Sequence, residues 1–384
     1  MKLELKLKRA SRRPRVLSGH PWVYDNELEA PLPSECDGKG VELFDLRGRS
    51  LGMGLYYSKS KIAWRHYGKS GTTWDKAYFE AALGKALARR ADETVRRIVW
   101  SDADDLPGFI VDQFEDILVV QAVTFGADQA LEAFSEVLES VLKPSEIVYR
   151  NDAPGRKMEG LERVVKTRSG EELAPRVFDI FGIQYELDLL HGQKTGFYLD
   201  QREEHLRVAA YSNESRVLDA FCNQGSFGLQ CAMQGAREVI GIDQSADAIA
   251  AVQKNALLNE VSMTGIEANV FDWFTEHKDE RFDLIILDPP SFAPNRRAVE
   301  GAMRGYKQLH LRALRMLTEG GLLATYSCSQ HISRDAFMEM IADAAHDAGR
   351  RVDLVTLTGQ PMDHPVRLGF PESSYLKGAL LRVE

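Results

Sequence analysis

The chain has 384 residues, 44% hydrophobic and 27% charged, with a formal net charge of −9 at pH 7. That is globular composition in two or three domains, and no apolar run approaches the roughly 18 residues of a membrane-spanning helix. Its four cysteines, Cys36, Cys222, Cys231 and Cys328, lack metal-type Cys-x-x-Cys spacing and are too few for a disulfide framework, so we expect a cytoplasmic protein with no metal and no membrane partner.

The negative total conceals a basic beginning. Residues 1–73 carry 14 Lys and Arg against 8 Asp and Glu, whereas the remainder carries 34 against 49. Lys2, Lys6, Lys8, Arg9, Arg12, Arg13 and Arg15 crowd the first strand and the turn after it, where they could neutralise RNA phosphates. A solvated basic face explains them equally well. In the same stretch, 41–44, 51–57 and 62–65 are short apolar or alternating runs broken by glycine, and they predict a small β-barrel.

Residues 76–99 place apolar side chains at helical spacing and predict one amphipathic helix. Strands follow at 108–114 and 117–121 around the acidic turn Glu115-Asp116. A helix at 127–142, a strand at 147–150 and a polar, glycine-rich stretch to about 170 complete an α+β module. Beyond it, strands at 217–221, 238–243, 284–288 and 321–326 alternate with helices at 228–234, 246–258 and 303–317. This predicts an α/β, doubly wound, mostly parallel sheet that binds ligands at the carboxyl ends of its strands. The expected domains are 1–73, 74–186 and 187–384.

Strand 217–221 runs into Cys222-Asn223-Gln224-Gly225-Ser226-Phe227-Gly228 and then a helix. A backbone passing close to a ligand needs glycine at such a turn, but Asn223 stands where a pyrophosphate-binding fingerprint has its first glycine. A nucleoside without pyrophosphate fits better. Asp243 closes the next strand, placed to accept hydrogen bonds from both ribose hydroxyls. The stretch Asp288-Pro289-Pro290-Ser291-Phe292 follows an apolar strand, and its prolines lock the backbone and remove two amide donors. Asp288 is left facing the crevice, to accept a bond from an exocyclic amine or to bond a pyrimidine ring nitrogen. Cys328, in Tyr326-Ser327-Cys328-Ser329, should reach the same rim. Carbon 5 of a pyrimidine accepts a methyl group only after a nucleophile adds at carbon 6, and a thiolate can do this. Cys36, Cys222 and Cys231 read instead as buried structural thiols.

With these residues in place, the chain resembles, over nearly its whole length, the RlmI family of large-subunit rRNA cytosine-C5 methyltransferases. The shared stretches are Gly19-His20-Pro21-Trp22-Val23, Gly52-Met53-Gly54-Leu55-Tyr56, Gln193 to Arg202, Asp219 to Gly228, Asp288 to Phe292, Ser327-Cys328-Ser329, Asp363-His364-Pro365-Val366 and Pro371 to Gly378. The resemblance implies an N-terminal β-barrel PUA domain, a central α+β domain and a class I Rossmann-like methyltransferase domain. It implies S-adenosyl-L-methionine as cofactor and large-subunit (23S) rRNA as partner, and leaves a homodimer open.

By the same resemblance, Cys328 and Asp288 are catalytic. The cofactor is bound by Lys194, Phe197, Tyr198, Gln201, Asp219, Phe221, Gly225, Asp243, Gln244, Asn269, Asp272 and Asp288, with Arg202 anchoring the segment beside Gln201. Asn269 stands where the family has an aspartate for the adenine amine, with Asp272 three residues on. Pro290 stands where other RNA cytosine-C5 methyltransferases carry a second cysteine. Two other readings stay open: an rRNA methyltransferase acting on an exocyclic amine of guanine or adenine, with Cys328 incidental, and a non-catalytic RNA-binding assembly factor. A dehydrogenase fits poorly, given Asn223 and no suitable histidine near the strand ends.

Overall fold

The computed structural model describes residues 4–9, 14–192, 195–293 and 295–384. By contacts the chain forms two compact units. The first takes residues to Arg176 together with Leu187–Leu199 and Met362–Ser373, and the second takes Val177–Glu186, Asp200–Pro361 and Ser374–Glu384.

In the first unit, strands β1 (Glu4–Lys6), β2 (Trp22–Val23), β3 (Gly40–Phe44), β4 (Ser50–Tyr56) and β5 (Trp64–Gly68) make a five-stranded sheet ordered β1-β3-β4-β5-β2. Trp64 is fully buried in its core and donates from its indole nitrogen to the Val41 carbonyl at 2.9 Å. Gly54 lies directly against that ring, where a Cβ would fall 2.2 Å from it, so no larger residue fits.

The motif Gly19 to Val23 fastens this sheet to the rest of the unit. Trp22 donates to Asp102 at 2.9 Å and lies under the Arg65 guanidinium at 5.0 Å, while Glu372 bonds both Arg15 (2.7 Å) and His20 (2.9 Å). Arg15 is therefore ion-paired. Lys6, Lys8 and Arg9 are exposed; Lys2, Arg12 and Arg13 lie outside the described residues.

Helix α1 (Lys76–Ala88) starts at Asp75, whose carboxylate caps the Tyr78 amide. The helix expected over 76–99 is corrected here, for it stops at Ala88 and β6 (Val95–Trp100) follows. Val95, Ile98 and Val99 match a helical period, but as β-branched residues they gain more by pairing with β7 (Phe109–Phe114). Next come β8 (Ile117–Ala122), α2 (Phe125–Leu142), β9 (Glu146–Asn151), the short α3 (Gly155–Met158) and β10 (Val164–Thr167), giving a sheet ordered β10-β9-β8-β7-β6. Both α3 and β10 fall in the stretch that sequence leaves as polar connection. A two-stranded sheet, β11 (Arg176–Ile180) with β12 (Ile183–Leu187), follows and falls almost wholly in the second unit, apart from that unit's seven-stranded sheet.

The second unit contains α4 (Arg202–Ala209), β13 (Arg216–Ala220), α5 (Ser226–Met233), β14 (Glu238–Asp243), α6 (Ala246–Leu258), β15 (Thr264–Glu267), α7 (Val270–Glu276), β16 (Phe282–Leu287), α8 (Val299–Met316), β17 (Leu317–Ser327), α9 (Arg334–Ala348), β18 (Val352–Gly359) and β19 (Lys377–Val383). Its seven strands are ordered β15-β14-β13-β16-β17-β19-β18. The first five run parallel, and β19 is antiparallel to both its neighbours. Leu284 to Leu287 on β16 are all completely buried, as a central strand covered by helices on both faces requires. The chain leaves β13 for β14 on one side and returns to β16 on the other, so a crevice opens at the carboxyl end of β13. Among the described residues no helix is long and apolar enough to cross a membrane, and no group of three or more His, Cys, Asp and Glu could hold a metal ion.

Candidate active site

Strand register brings the candidate residues to one edge. Ile242, Ala220, Leu287 and Thr325 are paired in a single row across β14, β13, β16 and β17. Asp243, the turn after Ala220, Asp288 and the Tyr326-Ser327-Cys328 end therefore emerge side by side. At roughly 4.8 Å per strand, Asp243 and Cys328 stand about 14 Å apart along the sheet, a span that suits a nucleoside at one end and a reacting base at the other.

The turn after β13 is unusual in its backbone. Phe221 (φ 68°), Asn223 (φ 49°) and Gly225 (φ 87°) are all left-handed, a strain of order 1–3 kcal/mol for each non-glycine residue. Asp243 helps to hold it. One carboxylate oxygen accepts from the Asn223 amide and the other from the Ser245 amide, each at 3.0 Å. Asp243 thus shapes the turn as well as facing the crevice, which sequence alone did not show.

Asp219 is 1% exposed and accepts from the Gly228 amide at 2.9 Å. Burial raises its pKa to about 7; the neighbouring Asp288 and Asp243 push the same way, and the Gly228 amide opposes them. Asp219, Asp243 and Asp288 thus form a cluster of carboxyl groups close enough to feel one another's charge.

Hydroxyl groups tie the turn that follows Asp288 to the strand end that carries Cys328. Ser291, in the diproline turn, shares a hydrogen bond with Ser329 at 3.0 Å. Ser329 shares another with the Tyr306 hydroxyl of α8 at 3.2 Å, and Ser327 donates to that hydroxyl at 3.1 Å. Ser327 and Ser329 are completely buried while Cys328 between them is partly exposed, so the clamp leaves the sulfur-bearing residue accessible. The other three cysteines are buried. Burial drives the Cys222 thiol far up and the Cys231 thiol to about 12, so neither is a nucleophile at neutral pH.

The remaining cofactor candidates divide. Gln201 caps α4, is 3% exposed, and neither its amide oxygen nor its amide nitrogen has a hydrogen-bond partner among the described residues. A buried amide left in this state costs about 1–3 kcal/mol, and a polar ligand would relieve it. Arg202 beside it lies over the Phe181 ring at 5.4 Å. Gln244 is exposed at the end of β14. Asn269 is exposed and its side-chain oxygen caps α7, accepting from the Phe271 (2.9 Å) and Asp272 (3.4 Å) amides. With that oxygen so engaged, the exposed Asp272 carboxylate is the stronger acceptor for an adenine amine. Phe197, buried, and Tyr198, half-buried, fall within the first unit. Lys194 lies outside the described residues.

Sequence reasoning missed Tyr306 and the pairing of Ser291 with Ser329. Tyr306 sits at helical spacing on α8 and reads as core until its hydroxyl is seen between two serines. The serines flanking Cys328 were the available signal.

Comparison with known proteins gives the same architecture. Residues 5–69 match the profile of a PUA-like domain, and residues 97–365 match that of the S-adenosylmethionine-dependent methyltransferase family. Ribosomal RNA large subunit methyltransferase I of Aeromonas salmonicida is 35% identical over 97% of both chains. The protein of the same description from Escherichia coli O127:H6 is 34% identical, again over 97% of both. Among solved structures, a candidate SAM-dependent methyltransferase from Streptococcus mutans superposes with a TM-score of 0.83 over 99% of this chain and 100% of its own, at 19% identity, a likeness of fold.

Proposed function

The chain belongs to the S-adenosylmethionine-dependent methyltransferases, and within them to the family of ribosomal RNA large subunit methyltransferase I; on that premise we propose that it methylates carbon 5 of a cytosine in large-subunit rRNA through a covalent adduct at Cys328. The observation that carries the proposal is the hydroxyl clamp, which ties the end bearing a partly exposed cysteine to the diproline turn that follows Asp288 at the carboxyl edge of the sheet. We further propose the division into domains 1–73, 74–186 and 187–384, with the exposed basic residues of the first facing RNA, and a reducing, cytoplasmic setting in keeping with free cysteines.

The residues fit the cofactor on two counts: the carboxyl cluster of Asp219, Asp243 and Asp288, and the buried amide of Gln201, which has no hydrogen-bond partner among the described residues. S-adenosylmethionine supplies the methyl group on a positively charged sulfur. Asp243 would accept from the ribose hydroxyls, Gln201 would find its missing partners, and Asp272 would receive the adenine amine.

The Cys328 thiolate adds to carbon 6 of the cytosine, forming the carbon–sulfur bond and moving the ring electron pair toward carbon 5, which becomes the nucleophile for the methyl group. Asp288, holding a proton, donates to ring nitrogen 3 as negative charge gathers there. After methylation a base takes the carbon 5 proton, and the electron pair of that carbon–hydrogen bond expels the thiolate and restores the ring.

Mass spectrometry of nucleosides from the rRNA of a deletion strain tests this reading. Loss of one 5-methylcytosine from large-subunit rRNA is expected; loss of an N-methylated purine with 5-methylcytosine unchanged would overturn it.

A further inference from the structure

The C-terminal stretch Pro371 to Gly378 is shared with the family, and the mechanism above leaves its lysine without a role. Lys377 opens β19, paired in register with Ser327 at the end of β17. It is 6% exposed, and its ammonium donates to the carbonyls of Ser329 and Tyr375, both at 2.8 Å. A long cationic side chain is rarely buried without a carboxylate partner, yet here the bonded groups are two neutral carbonyls. One of them belongs to the residue following Cys328.

We propose that Lys377 is a positioning residue for the nucleophile: it fastens the Ser327-Cys328-Ser329 end through the Ser329 carbonyl and sets a positive charge beside Cys328 that favours the thiolate. The proposal rests on Cys328 being the nucleophile, and it concerns the acidity of that thiol, which can be measured without methyl transfer.

Lys377 and Cys328 act on each other's charge. Burial lowers the Lys377 pKa to about 8, Arg334 of α9 lowers it further, and the Cys328 sulfur, when charged, favours the ammonium form. An attraction that favours the ammonium beside a thiolate favours the thiolate beside an ammonium by the same free energy. Tyr306 of α8 faces Cys328 too, but burial raises its hydroxyl pKa, so it stays neutral and acts only as a hydrogen-bonding group. His310, also on α8, is held neutral by burial, with its pKa lowered to about 4. Asp288, at the end of the neighbouring β16, would oppose a second negative charge only when ionised; holding its proton, as the mechanism requires, it does not. Lys377 is thus the buried cation bonded to the backbone of this end, while Arg334 of α9 is held on the Thr358 carbonyl at 2.9 Å.

The test is the pH dependence of iodoacetamide alkylation at Cys328 in the full-length protein, followed by mass spectrometry, with Cys328→Ala as the blank. Wild type should show a midpoint below the roughly 8.5 of a free thiol. Lys377→Met should move it up and slow alkylation at pH 7 about tenfold, and Lys377→Arg, which keeps the charge, should restore most of the rate. A wild-type midpoint at or above that of a free thiol overturns the proposal whether or not any variant folds. So does an unchanged midpoint in Lys377→Met, or an equal rise in Lys377→Met and Lys377→Arg, which would reduce the residue to a fastening. A normal thiol shift together with absent 5-methylcytosine activity would leave this inference standing and sink the proposed function instead.

Discussion

Replacing Gln201 by Met should change stability and cofactor binding in opposite directions. Methionine has nearly the same length and no amide, so it fills the site at the start of α4 while removing the two polar atoms that find no partner among the described residues. Relief of one unsatisfied buried amide is worth about 1–3 kcal/mol. At roughly 2–4 °C per kcal/mol for a domain of this size, the cofactor-free protein should melt about 2–12 °C higher. The cofactor loses up to two neutral hydrogen bonds, about 0.5–1.5 kcal/mol each, or roughly a 5- to 150-fold weaker dissociation constant. Differential scanning calorimetry without ligand and titration calorimetry with S-adenosylhomocysteine read the two effects separately. A variant that melts lower without ligand, yet binds S-adenosylhomocysteine as wild type does, would refute the assignment of this amide to the cofactor.

Asp219→Asn gives a pH signature. The folded carboxyl holds its proton to about pH 7 against a usual 3.8, so the wild-type fold is penalised as pH rises from about 4 to about 7, and the variant, with no proton to lose, is not. Its stability relative to wild type should improve by about 2–3 kcal/mol between pH 5 and pH 8 in urea titrations, and a flat difference would contradict the buried-carboxyl account. Asp243→Ala removes the acceptor for the Asn223 and Ser245 amides as well as for ribose, so S-adenosylhomocysteine affinity should fall by at least tenfold in calorimetry. Tyr306→Phe deletes the hydroxyl between Ser327 and Ser329; single-turnover methylation should slow by about tenfold with cofactor affinity unchanged, and equal losses in both would point to general unfolding. Reversing Lys6, Lys8 and Arg9 to Glu should weaken rRNA binding and flatten its salt dependence. This is a cleaner test than deleting residues 1–73, because Trp22, Arg15 and His20 anchor that sheet to Asp102 and Glu372.

Much of the catalytic fold is legible because its parallel strands are short apolar runs that end in chemistry-bearing residues. Asp243, Asp288 and Cys328 could each be placed at a strand end from local pattern alone. Where local pattern serves two periods, it misleads: Val95, Ile98 and Val99 continue the helical spacing of α1, and only the partner strand Phe109–Phe114 decides for β. Contacts between residues far apart in sequence were invisible. The Ser291–Ser329 bond joins positions 38 apart, and Lys377 reaches Ser329 from 48 away. Asn269 marks a subtler limit, since its residue type suits both an adenine acceptor and a helix cap, and its side-chain oxygen is found bonded to two backbone amides.

The covalent step at Cys328 is the centre of the account, and rRNA carrying 5-fluorocytosine tests it most directly. Fluorine cannot leave as a cation, so once the ring is methylated the elimination that frees the enzyme has no proton to begin with. Wild-type enzyme with S-adenosylmethionine should form a protein–RNA adduct that survives denaturing gel electrophoresis and maps by mass spectrometry to Cys328. Cys328→Ala should form none while still binding S-adenosylhomocysteine. Wild-type enzyme that methylates ordinary rRNA but is not trapped by the fluorinated RNA, or an adduct that persists in Cys328→Ala, would contradict it.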